Sequence, residues 1–202
     1  MRVLKNLKSD NMRKSLYIKV ILVIYASLLF ALKSNGQSFK NVDKDPHDIA
    51  YFRESNVTAP LVKVVYGRPS VQKNEEAFGN KIPFGELWRT GANEATEIKL
   101  YQDTVFNDVV VKAGTYVLLT IPGENEWEVI LNSNLDVWGA FQYDPKADVA
   151  RIKVPVSKAE MLDAFSIAFK KGDEHLNMVL GWGSTRVKVP MRIDQDSYVA
   201  KL

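Results

Sequence analysis

Arg68, Trp88, Arg89, Asn93 and Glu94, with Trp138, Tyr143 and Asp144 further along, are residue types suited to holding a ligand. Arginine presents a planar fork of donors that matches carboxylates and phosphates. Tryptophan and tyrosine offer flat apolar faces with a polar edge, as sugar and peptide sites use. The competing reading is architectural. Arg89 and Glu94 could pair with each other or tie down the long stretch before them, and Trp88 could belong to the core. Arg68, Arg89 and Glu94 flank that stretch, and if it folds back on itself they converge at one end of the domain.

Signatures of dedicated chemistry are missing. The sequence has no cysteine and two histidines, which excludes disulfides, thiolate metal centres, iron–sulfur clusters and a cysteine nucleophile. It leaves little for histidine-based metal binding. HExxH, P-loop and G-x-S-x-G motifs do not occur, and Gly181-Trp182-Gly183 starts a dinucleotide fingerprint without completing it. Asp45-Pro46-His47-Asp48 reads as a turn cluster, His175 as an edge residue, and Glu124, Glu126 and Glu128 as the solvated face of a hairpin. A glycosidase needs two facing carboxyls at a defined separation, which spacing does not supply. No catalytic residue, metal ligand or cofactor is assigned.

The elements that must position these residues are strands. Period-two alternation sets Val62, Val64 and Tyr66 on one face, then Thr96, Ile98 and Leu100, then Trp127, Val129 and Leu131. Ala150, Ile152, Val154 and Val156 follow, then Phe165, Ile167 and Phe169, Leu176 to Trp182, and Val187 to Ile193. Ala113-Gly114, Pro122-Gly123 and Lys171-Gly172-Asp173 supply turns between them. Only 158–164 has room for a helical turn. Pro155 and Pro190 place their strands at an edge or an end. Residues 67–94 do not alternate, and a loop of that length is functional or packed by its own side chains. The fold class expected is all-β: an antiparallel β-sandwich, jelly-roll-like or related, as a single domain over 60–193. A polar, irregular arm at 37–59 with at most one short helical turn precedes it, and a tail at 194–202 follows.

The chain of 202 residues has a formal charge of +3, but residues 1–36 hold seven basic groups and one acid. The remainder carries 20 basic and 23 acidic residues, a charge of −3, which argues against binding a phosphate backbone. Residues 20–32 form an uncharged run, and Ser34-Asn35-Gly36 sets small residues two apart before Gln37. That is the order of a secretory signal peptide over 1–36, and the run is shorter than the roughly 20 residues of a spanning helix. An uncleaved anchor is the competing reading, and initiation at Met12 would shorten the basic part.

Tyr66-Gly67-Arg68-Pro69-Ser70, Phe84-Gly85-Glu86-Leu87-Trp88-Arg89-Thr90-Gly91-Ala92-Asn93-Glu94-Ala95-Thr96, Ala113-Gly114-Thr115-Tyr116, Ile121-Pro122-Gly123-Glu124 and Trp138-Gly139-Ala140-Phe141 occur in this order. Over about 59–192 this pattern resembles the DUF2911 family, a domain of unknown function. The resemblance implies a β-rich exported domain, mainly of Bacteroidota and related bacteria, and brings no catalytic residue with it.

The function expected is therefore that of an exported domain in the periplasm or envelope of a Gram-negative bacterium. It would be a non-catalytic binding or interaction module for a small molecule, glycan or peptide, or for an envelope protein. Nucleic acid is not an expected partner, and membrane contact is expected only through the signal peptide before cleavage. The alternatives are an envelope hydrolase using carboxylates such as Glu94 and Asp144, and a structural protein-interaction domain.

Overall fold

The computed structural model describes residues 2–31, 39, 41–72, 75–172 and 175–193. The segment before the expected cleavage point, Asp173 and the tail at 194–202 lie outside the described residues. The chain divides into two compact units, Met1–Asn41 and Val42–Leu202. The first contains one helix, α1 (Arg2–Ala31), whose side chains from Met12 to Ser27 are all exposed. No helix among the described residues is long and apolar enough to cross a membrane.

Over its described residues the second unit is a nine-stranded antiparallel sheet. Its strands are β1 (His47–Phe52), β2 (Val62–Gly67), β3 (Glu97–Leu100), β4 (Thr104–Phe106), β5 (Val109–Val111), β6 (Gly114–Ile121), β7 (Glu126–Asn132), β8 (Asp148–Lys171) and β9 (Leu176–Ile193). The order across the sheet is β1-β2-β3-β6-β7-β8-β9-β4-β5. Alternation explains the strands: Val62, Val64 and Tyr66 are buried while Lys63 and Val65 are partly exposed, and Ile152 and Val154 are buried between exposed Arg151 and Lys153.

The long strand β8 turns this sheet into a sandwich. Its first part pairs with β7, its second with β9, and the register shifts between Lys158 and Leu162 and again between Leu162 and Ser166. Bulges of this kind bend a strand, so β8 carries the sheet from one layer into the other. One apolar core joins Val62, Val64, Ile98 and Leu118 of the first layer to Phe165, Met178, Leu180 and Val189 of the second. At its centre Phe78, Trp88, Trp127, Trp182 and Phe165 meet edge-on or stacked, with Phe78 and Trp127 centroids 4.6 Å apart.

Two expectations are corrected. The segment 158–164 is not a helical turn but the bulged middle of β8. The arm at 37–59 contains β1, with Asp48, Ala50 and Phe52 turned inward and His47, Ile49 and Tyr51 outward. Apolar residues on both faces hid its period. Pro155 ends the β7 ladder, and Pro190 lies between the β8 and β4 ladders of β9, where a missing donor costs nothing.

Candidate functional site

The stretch 88–96 is a tight turn locked to the sheet from several sides. Trp88 and Thr120 exchange backbone hydrogen bonds at 2.7 and 2.9 Å. The Trp88 ring is only 5% exposed, and its Nε1 donates to Gly91 O at 3.1 Å. Thr90 follows with φ +57°, a left-handed conformation unusual for a β-branched residue. Its hydroxyl donates to Thr120 Oγ1, and its carbonyl accepts from Thr96 Oγ1 at 2.8 Å. The turn presses on the end of β2 so closely that a Cβ on Gly67 would sit 2.1 Å from Ala92 O.

The turn does not gather the expected residues into one site. Arg68 faces β8 and β1: Nε donates to Phe165 O at 3.1 Å, Nη2 to Ser166 Oγ at 3.0 Å, and Nη1 meets Asp48 Oδ2 at 2.9 Å. Its acid partner is Asp48, and its guanidinium forms a clasp on β1 and β8. Trp88 lies in the core. Asn93, with φ +62°, donates from Nδ2 to Asp45 O at 3.2 Å. Tyr143 donates to Asp148 Oδ2 at 2.7 Å and accepts from Arg151, which also holds Glu128; burial raises the Tyr143 phenol above its ordinary pKa, helped by Asp148. Asp144 caps the 3-10 turn Pro145–Ala147 by accepting from Lys146 N.

Glu94 and Trp138 do meet. They line a pocket of about 380 Å³ with His47 and Asp136 over an apolar base that includes Val65 and Val117. His47 Nε2 lies 3.1 Å from Glu94 Oε2, and the Trp138 ring is 57% exposed. Arg89 lines neither this pocket nor the cleft described next. It is half-buried, and its Nε is sealed from solvent without a hydrogen-bond partner.

A cleft of about 540 Å³ opens where the 75–85 segment, the β6–β7 turn and the bulged part of β8 face the middle of β9. Phe78 and Trp182 form its base, and Phe84 and Met161, both about half exposed, form its walls. Three carboxylates reach it. Glu75 accepts from Gln72 N at 2.9 Å, whereas Glu76 and Glu124 are exposed and have no partner among the described residues. Lys158 adds one ammonium, 3.3 Å from Thr185 Oγ1, and Asn125 and Ser184 add neutral polar groups. Glu126 and Glu128 of the same hairpin instead face Lys153 and Arg151. Sequence reasoning left this cleft out, although the two phenylalanines of a long non-alternating loop were its signal. No group of three side chains able to hold a metal occurs among the described residues.

A family model described as "Protein of unknown function (DUF2911)" matches residues 50–191. No curated protein and no solved structure matches the chain significantly.

Proposed function

The chain belongs to the DUF2911 family, and from the geometry of its 540 Å³ cleft we propose that it is a binding domain for a small polar ligand bearing an amine or hydroxyl groups on an apolar body. A sugar, an amino sugar or a short basic peptide has this chemistry. The observation that carries the reading is a pair of carboxylates without a partner among the described residues, Glu76 and Glu124, beside the apolar walls of Phe84 and Met161. Ligand pockets usually enclose about 300–1,000 Å³, and the many polar side chains of this cleft beside its apolar walls suit a polar guest. Among the described residues, three carboxylates against one ammonium favour a neutral or cationic guest.

The test is a thermal-shift titration of wild type and the E76Q/E124Q double variant with neutral sugars, amino sugars and short lysine peptides. Binding raises apparent stability by mass action. A saturable shift in wild type, reduced at least about tenfold in apparent affinity in the double variant, supports the reading. No shift with any of the three classes, or the same shift in both proteins, overturns it.

The basic, apolar, small-residue order of residues 1–36 supports export to the periplasm or envelope. The mass of the protein recovered from cells tests it. A chain beginning at Gln37 supports cleavage, and a full-length chain in the cytoplasmic fraction refutes export.

A further inference from the structure

Three arginines of the sandwich are half-buried: Arg68, Arg89 and Arg186. Two have guanidinium groups bonded to the protein. Arg68 donates to Phe165 O, Asp48 and Ser166. Arg186 donates from Nη1 to the carbonyls of Gly183 and Thr185 and from Nη2 to the carbonyl of Glu160. The Arg89 carbonyl accepts from Thr96 N at 3.2 Å, but its side chain makes no hydrogen bond and no ion pair with any described residue. A partly buried cation without a counter-charge costs stability, so the third arginine needs a reason that the other two do not.

The backbone around Arg89 is held in costly conformations. Thr90 beside it is left-handed and fully buried, a strain of about 1–3 kcal/mol that persists only where surrounding bonds impose it. The facing segment contains Asp136, also left-handed at φ +58°. Gly139 lies against the Arg89 stem, with a Cβ there falling 3.7 Å from Arg89 Cδ and 3.5 Å from the Phe141 ring. That ring is 88% exposed. A flat apolar surface therefore stands next to a cation that the protein leaves unpaired.

We infer that Arg89 is an oxyanion-binding residue, taking the carboxylate or phosphate of a ligand whose body lies against Phe141. Carboxylates and phosphates match the guanidinium fork. Nε is sealed, so the oxyanion is received by the terminal amino groups. The site is separate from the carboxylate-rimmed cleft, whose charge favours the opposite kind of guest, so either can fail without the other.

The experiment titrates inorganic phosphate and, separately, acetate and benzoate into the protein at constant ionic strength held with chloride, following thermal unfolding. Wild type is expected to be stabilised saturably by one class, which tells a phosphate source from a carboxylate source. R89K keeps the charge without the fork and should bind at least about tenfold more weakly. R89M should lose the response while still unfolding cooperatively. The same stabilisation in R89M, or none in wild type, overturns the inference. A measurement on wild type alone stands beside the variants: phenylglyoxal labelling of Arg89, mapped by mass spectrometry. Protection by the stabilising anion supports the site, and labelling unchanged by every anion refutes it.

Discussion

Arg68 and Arg89 flank the same long loop, yet the protein treats them oppositely. The Arg68 side is a closed network. Its guanidinium holds Asp48, Ser166 and the Phe165 carbonyl, and Tyr66 beside it accepts from Ile167 N at 3.1 Å while its hydroxyl points at Asp48. The network joins β1, β2 and β8, hence both layers of the sandwich. The Arg89 side is open, with a half-buried cation, an orphaned Nε, a strained neighbour and exposed aromatics on the facing segment. The contrast teaches how to separate two roles that look alike in a sequence. A half-buried arginine whose guanidinium is bonded to segments remote along the chain fastens the fold. One whose donors are unused carries a stability cost, and that cost marks a place kept for something else.

The comparison can be broken most directly at Arg68. Arg68→Met removes three donations, one of them to a carboxylate, and strands the Phe165 carbonyl. It should cost about 2–3 kcal/mol in urea unfolding, after allowance for the screening of its partly exposed ion pair. Arg89→Met should do the reverse. Removing a cation with no partner is expected to leave stability unchanged or to raise it by about 1 kcal/mol. Equal losses in the two variants would erase the distinction.

The smallest effect lies in pH. Burial raises the Tyr66 phenol above its ordinary value, and the Asp48 charge adds to this. The folded state therefore holds the proton more tightly than the unfolded one. This contribution is complete below the unfolded value, near pH 10, and is lost as pH rises through the folded one. Tyr66→Phe should flatten the fall in stability above about pH 10 relative to wild type, by whatever baseline it shifts at neutral pH. An unchanged alkaline slope would detach Tyr66 from the clasp.

Much of the sandwich was legible because strand signals are local. Val62–Val64–Tyr66 and Ile152–Val154 announce their buried faces by alternation alone. β1 escaped because Ile49 and Tyr51 face outward beside inward Ala50 and Phe52, so neither face is polar. The middle of β8 escaped because its bulges break the period that would have identified it. Of the candidate site residues, Glu94 and Trp138 share a pocket, while Trp88 joins the core and Arg68, Asn93, Tyr143 and Asp144 are engaged by the fold. The long loop at 67–94 was recognisable as unusual, but its Phe78 went into the core while its Phe84 went to the wall of a cleft.

The sequence by itself determined the all-β class, the faces of the cleanly alternating strands and the membership of a family, since each depends on neighbours within a few residues or on a linear motif. Only the tertiary structure decided which polar groups are satisfied. The Arg68 partners in β8 lie 97 and 98 residues away, and the carboxylates Glu76 and Glu124 of the cleft come from segments on either side of β3 to β6. Whether a charge finds a partner depends on distances in space between segments remote along the chain. Periodicity carries no information about those distances, so a fastening arginine and a vacant one look the same until the chain is folded.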